Sequence, residues 1–492
     1  MNFGWLLPIL ILMPGLLGVA SLFVRSAQAV LRLCAIGTLG VAALSGAVAL
    51  QTFRFVPLLA AGNWFMLDAL SAYHLLVMMI VFSLSALYGI TYFREEIAQG
   101  QFTIRHARRY GGLWFGSMSA MVLVLVSNNL GIMWVGIEAT TLLTAFLICI
   151  HRTSGALEAM WKYLLMCSVG VAVAFMGTLL IAASAQQASL HGSDALLWTA
   201  LRDAAHQLDP ALLKAGFIFL VIGYGTKAGL APMHNWLPDA HSQAPSPVSA
   251  VFSGFLLNAA LYCILRYLPL VESATGNTGW GRGILVVFGI LSILVAAGFI
   301  VAQHDVKRLL AYHSVEHLGI IALGIGIGGY GALAALFHIF NHSLCKSVSF
   351  FCAGTLGQTY GTHDMREMTH VIRVSPVWGS GLIVTLLALI GVAPFALFLS
   401  EFIILKSALN AGSYWAASLF MVGVGVVFVG ALRHIISMAW EPLQTHIKAR
   451  RPTIAEGMLV FGALATLLIL GLWLPRPFQA ILEQATRVLG GI

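Results

Sequence analysis

Residues 224–250 read YGTKAGLAPMHNWLPDAHSQAPSPVSA. A strongly apolar run carries a lysine, breaks at a proline and restarts beyond a polar patch. Phe217 to Gly225 predicts the first part of a membrane span, with Lys227 inside it and no carboxylate in sequence reach. An ionisable side chain near the bilayer centre costs about 2.5–3.5 kcal/mol by insertion scales, so Lys227 is expected to face protein or water and to have a task. Pro232 removes a backbone donor and clashes with the preceding turn. The helix is therefore predicted to be discontinuous here, its freed carbonyls lining a cavity rather than lipid. Broken helices around a buried charge are transporter architecture.

Outward from this stretch, the 492 residues are 59% hydrophobic and only 9% charged, too little charge for a soluble globule. The fold class expected is all-α, a polytopic integral membrane protein with about fourteen spans, each long enough for a core of about 30 Å. They are predicted near 5–24, 28–50, 69–93, 112–126, 129–150, 160–184, 212–231, 246–268, 281–302, 308–327, 331–356, 375–409, 413–438 and 454–474. The first has no charged stretch before it and no evident cleavage site, so it is kept as a span of the mature chain. The longest polar connections, 94–111 and 185–214, are too short to fold alone, and the second reads as a solvated face. The chain is thus one membrane domain, 1–492, that obtains any further chemistry from partners.

The six cysteines all fall in apolar runs with no C-x-x-C pair, which argues for small buried hydrophobes and against an iron–sulfur or zinc site. No cofactor or metal is expected in this subunit. The net charge of +8 reads as membrane orientation rather than nucleic-acid binding. Counted by alternate connections, sixteen Lys and Arg, among them Lys307, Arg308, Lys448, Arg450 and Arg451, fall on one side, and seven, among them Arg202 and Arg266, on the other. The positive-inside rule puts the first side in the cytoplasm and both termini outside. Lys227, Lys346 and Lys406 belong to neither side.

The remaining ionisable residues of the spans form a pattern. Asp68 stands at the entrance of the third span and reads as a helix cap. Glu138, in LGIMWVGIEATTLLTAFLICI, is alone in an apolar helix, and Lys227 is the expected partner, as a switch or as a static pair. His234, Asp239 and His241 follow the break at Pro232, to feed protons inward or to cap the half-helix. Lys307 and Arg308 read as interfacial anchors. His313, Glu316 and His317, three and four residues apart, share one helical face, as metal ligands or, preferably, as a protonatable stripe. His338, His342 and Lys346 recur at steps of four, a ladder with rungs about 6 Å apart that waters can bridge. Pro394, beside Gly391 and Ala393, is predicted to break the twelfth span as Pro232 breaks the seventh, with Glu401 and Lys406 beyond it. Two proline-interrupted spans five apart predict inverted repeats, 112–268 (spans four to eight) and 281–438 (spans nine to thirteen), with helices 7 and 12 broken.

With TKAGLAPMHNWLPDAHSQAPSPVSA, DVKRLLAYHSVEHLGI and NHSLCKSVSFFCAG on the page, the chain resembles, over nearly its whole length, the antiporter-like proton-translocating subunits of complex I, membrane-bound [NiFe] hydrogenases and multi-subunit sodium/proton antiporters. Its wording is most similar to the component F type of hydrogenase-4 and formate hydrogenlyase assemblies. The resemblance implies that Glu138 is the fifth-helix carboxylate, Lys227 its seventh-helix partner, Lys346 with His338 and His342 the central relay, and Glu401 the twelfth-helix position. It further implies a bacterial or archaeal cell membrane, partner membrane subunits of the same family and a peripheral redox module. Many relatives have an eighth-helix lysine where this chain offers only Asn258, which cannot titrate. The short run beyond the fourteenth span implies a member other than the largest complex I homologue, which has a long lateral helix. The function expected is a proton-translocating, itself non-catalytic subunit of a redox complex; the alternatives are a non-pumping scaffold and sodium/proton exchange.

Overall fold

The structure, a computed structural model, describes residues 4–55, 57–441 and 452–490. Helices occupy the predicted stretches: α1 (Leu6–Ser21), α2 (Ala27–Arg54), α3 (Ala69–Ala98), α4 (Ile104–Val126), α5 (Leu130–Ile148), α6 (Ser154–Ser184), α7a (Pro210–Ala228) and α7b (Leu237–Gln243). They continue with α8 (Ser246–Ala274), α9 (Trp280–Val301), α10 (Val306–Ile327), α11 (Tyr330–Tyr360), α12a (Pro376–Leu389), α12b (Ala396–Asn410), α13 (Tyr414–Trp440) and α14 (Ile454–Leu472). Among the described residues, eleven helices are long and apolar enough to cross a membrane. Side-chain caps set several starts: Asp68, Asn129, Thr153, Asp209 and Asp305 each accept from an N–H of the following turn, which no intrahelical carbonyl can serve.

Both predicted breaks are present. α7a stops at Ala228, Gly229 turns the chain at φ 80°, and α7b begins only at Leu237. α12a stops at Leu389, Gly391 has φ 74°, and α12b begins at Ala396. The carbonyls freed at the first break do not all face a cavity as expected. The indole of Trp236 donates to Thr226 O at 2.8 Å, and Ala231 N–H donates to Ser292 Oγ of α9 at 2.9 Å, so protein groups close the gap.

The layering is concentric. The most apolar window of α8 is wholly enclosed by protein and that of α10 is 94% enclosed, against 39% for α6 and α13. The middle of the molecule is thus α8, α10 and the inward face of α11, the helices richest in polar residues. Around them α6 meets α7a backbone to backbone: a Cβ on Gly223 would lie 2.5 Å from Ala174 N and Gly170 O, the small-residue contact used where lipid offers no hydrophobic drive.

Four features depart from the sequence reading. A two-stranded antiparallel hairpin, β1 (Leu58–Ala60) with β2 (Phe65–Leu67), interrupts the all-α plan. An amphipathic helix, α15 (Arg476–Val488), follows α14 and packs Phe478 on Phe340 at 5.1 Å. Arg266, counted as a connection charge, is buried and paired with Asp68. Lys307, read as an interfacial anchor, is also buried and donates to Ser242 O at 3.1 Å and Ala244 O at 2.6 Å, closing the end of α7b. Lys448, Arg450 and Arg451 of the charge count lie outside the described residues.

Candidate functional site

Lys227 is the penultimate residue of α7a, so the break places its fully buried amine at a helix end inside the protein. Nζ donates to Thr141 Oγ1 of α5 and to Tyr163 OH of α6, both at 2.7 Å. Tyr163 OH in turn lies 2.6 Å from Thr144 Oγ1. The expected direct pair with Glu138 is absent. The register of α5 turns Thr141 toward Lys227 and Glu138 toward α6, where it accepts from Ser168 Oγ at 2.8 Å while its second oxygen has no partner among the described residues. Glu138 is only partly buried, on the outward side of the α5–α6 pair. Two hydroxyls therefore stand where a carboxylate was expected.

From Lys227 the polar residues continue inward. His241 of α7b is fully buried, stacks on Phe350 of α11 at 5.1 Å and meets Phe252, which itself stacks on Tyr163. Both nitrogens of His241 lack a partner among the described residues. Asn258 of α8 donates to Gly254 O at 3.1 Å and to Ser343 Oγ of α11 at 3.2 Å, bridging the same gap without titrating.

The ladder on α11 points inward throughout: His338, His342 and Lys346 have no exposed surface. Lys346 Nζ donates to the Leu310 carbonyl of α10. His313 Nδ1 is 2.9 Å from Glu316 Oε2. His317 Nδ1 is 2.9 Å from His338 Nε2, and its ring lies 5.0 Å from that of His342. His338 Nδ1 reaches Ser400 Oγ at 2.8 Å, and Glu401 Oε1 is 4.0 Å from His317 Nδ1. Helices α10, α11 and α12b thus bring the two predicted clusters and Glu401 into one constellation. Within it His313 Nε2, His317 Nε2 and both nitrogens of His342 are unpartnered among the described residues. Unmade hydrogen bonds in a dry interior cost about 1–3 kcal/mol each, so four together point to bridging water.

The remaining candidates are peripheral. His234 lies in the break, edge-on to the stacked rings of Phe299 and Tyr312. Asp239, in the first turn of the half-helix, pairs with Arg308 at 2.7 Å and Lys162 at 3.0 Å and caps no backbone N–H. Lys406 is exposed on α12b and joins nothing here. The sequence reading missed Thr141, Thr144, Tyr163, Ser168 and Ser400, all neutral hydroxyls. The run ATTLLT at 139–144 held a signal, hydroxyls recurring at helical spacing beside Glu138.

Gly391 supports the far end. A Cβ there would come within 2.6 Å of Glu401 Oε2, and its φ of 74° is left-handed. We expect Gly391→Ala to cost about 1–2 kcal/mol in backbone strain and to push the Glu401 carboxylate off His317. Proton transfer through the chain should fall several-fold while the protein still inserts. Transfer at the wild-type rate would mean that the Glu401 position does not matter.

The model of the NADH:quinone oxidoreductase/Mrp antiporter transmembrane family matches residues 127–427, a range that holds every residue of this buried polar chain. The chain belongs to that family. A Hydrogenase-4 component F homolog of Methylacidiphilum infernorum (isolate V4) is 41% identical over 407 residues, 82% of this chain and 85% of that protein. Hydrogenase-4 component B of Escherichia coli (strain K12) is 28% identical over 447 residues, 85% of this chain but 64% of that longer protein. A chain of the archaeal membrane-bound sulfane sulfur reductase superposes with a TM-score of 0.87 over 99% of this chain and 98% of its own, at 23% identity, a likeness of fold.

Proposed function

We propose that this chain is a proton-translocating membrane subunit of a multi-subunit redox complex of the hydrogenase-4 and formate hydrogenlyase-like or complex I-like kind. What carries the reading is the buried line of titratable side chains and hydroxyls from Lys227 to Ser400 and Glu401. Protons enter past His234 and His241, exchange on Lys227, and pass by way of Lys346, His342, His338, His317 and Glu401 to the opposite side. His313 and Glu316 branch from that line. In this reading Glu138, held by Ser168 Oγ, is the carboxylate whose approach and withdrawal switch the proton on Lys227. Moving one charge against 100 mV takes about 2.3 kcal/mol, which a peripheral redox module provides through neighbouring membrane subunits. Transfer uses only side chains and water, with no cofactor or metal in this subunit. The charge count supports both termini on the outer side of the cell membrane. The matched Gly229–Pro232 and Gly391–Pro394 breaks support two inverted repeats, 112–268 and 281–438.

Asn258 favours a second reading, a non-pumping scaffold, because it interrupts titratable groups at the centre. Proton uptake into proteoliposomes holding the whole complex separates the two. Lys346→Met should abolish uptake while the subunits still copurify in wild-type ratio. Uptake that persists at the wild-type rate assigns the scaffold role, and uptake that requires sodium assigns cation exchange.

A further inference from the structure

Ser400 stands in the opening turns of α12b, just past the break, and has no exposed surface. Its hydroxyl donates to Leu397 O at 2.8 Å and Ala396 O at 3.0 Å, the back-bond a serine makes to its own helix. Nδ1 of His338 lies 2.8 Å from the same oxygen. A hydroxyl has one hydrogen, and a carbonyl oxygen can only accept. All three contacts are used only when that hydrogen points at the helix carbonyls and the ring donates Nδ1–H to Oγ. A neutral imidazole carries one N–H, so Nε2 of His338 is then a bare acceptor.

That Nε2 is 2.9 Å from Nδ1 of His317. His317 must therefore donate from Nδ1, which makes its own Nε2 the bare nitrogen of the pair. Nε2 of His317 is the one nitrogen of these two rings without a partner among the described residues. Around it, both nitrogens of His342, whose ring is 5.0 Å away, and Nε2 of His313, whose ring is 6.2 Å away, are unpartnered as well, a group that water can join. Glu401, the residue after Ser400, places Oε1 4.0 Å from His317 Nδ1. Consecutive residues thus divide the pair: Ser400 holds His338, and Glu401 stands by His317.

We propose that Ser400 is a positioning residue that makes Nε2 of His317 the nitrogen of this pair that takes up the proton. The role rests on the proton-translocating reading above. In the step, a proton carried by bridging water leaves its O–H bond and forms an N–H bond at Nε2, and neutral water remains. The charge on His317 is then shared with His338 through the Nδ1–H bond and lies beside the Glu401 carboxylate. Ser400→Ala removes the acceptor of the His338 Nδ1–H. A buried donor without a partner is costly, so His338 takes its other tautomer and donates Nε2–H to His317 Nδ1. The hydrogen of His317 then sits on Nε2, and the uptake nitrogen is closed.

Proton uptake into proteoliposomes holding the whole complex is expected to fall about tenfold in Ser400→Ala. It should stay near the wild-type rate in Ser400→Thr, whose hydroxyl can make the same bonds. Alanine is the better helix former, so its variant should fold. A spectroscopic arm reads the tautomer itself. With histidine labelled by nitrogen-15 in the complex, the His338 ring signals are identified by their loss in His338→Gln. They should place hydrogen on Nδ1 in the wild type and on Nε2 in Ser400→Ala. Uptake at the wild-type rate in Ser400→Ala, an unchanged tautomer there, or a Ser400→Thr variant as slow as Ser400→Ala would each overturn the proposal. Lys346→Met separates this role from the reading beneath it. If Lys346→Met is inactive while Ser400→Ala pumps normally, the Ser400 role falls alone; normal pumping in Lys346→Met removes the reading and the role together.

Discussion

Replacing Lys227 with alanine abolishes proton uptake in proteoliposomes, while the complex assembles in normal yield. This result is expected because the amine is the one basic group in this contact set: its partners, Thr141 and Tyr163, are neutral hydroxyls. Alanine leaves the local scaffold standing. Tyr163 keeps its 2.6 Å contact with Thr144 Oγ1, and Trp236 still holds the Thr226 carbonyl across the break. The space vacated lies between hydroxyls and can take water, so the loss should fall on transfer rather than on folding. Lys227→Arg is a sharper control. A guanidinium stays protonated under all accessible conditions, so it should preserve assembly and still fail to pass protons. Normal uptake in either variant would take Lys227 out of the path.

The helices were legible because hydrophobic length sets them, and both breaks because a proline three residues after a glycine and directly after an alanine interrupts a helix in lipid. The ladder of His338, His342 and Lys346 was legible too: steps of four fix one face, and three polar groups on one face must point inward. Partner choice was not. Glu138 and Lys227 are each visible as lone charges, but whether they meet depends on the rotation of α5 against α7a, which the Gly170, Gly177 and Gly223 contacts of α6 help to set. The Ser400–His338–His317 link likewise joins three helices whose relative heights no single run encodes. Arg266 shows the converse failure. A charge near the end of an apolar run reads as a connection, and only the folded chain reveals Asp68 of α3 facing it.

That pair yields the largest expected change in stability. Arg266 is 2% exposed and grips Asp68 with two bonds, Nη1 to Oδ2 at 2.6 Å and Nη2 to Oδ1 at 2.7 Å, while Nε donates to Tyr262 OH at 2.7 Å. Its guanidinium lies 4.8 Å from the Trp198 ring, and the Trp198 indole returns a bond to Arg266 O at 2.6 Å. Asp68→Asn keeps the cap on α3, since asparagine serves an N-cap as well as aspartate, but it strands a buried cation. Breaking a buried pair from one side costs about 3–5 kcal/mol, which unfolding in mixed detergent micelles would register. Removing both charges should cost less than removing one, so Asp68→Asn with Arg266→Met is expected to regain part of the loss. If the double variant is no more stable than Asp68→Asn alone, the guanidinium acts chiefly through its packing on Trp198 and Tyr262. The pair would then be a hydrophobic clamp between α3, α8 and the Trp198 segment that happens to be charged.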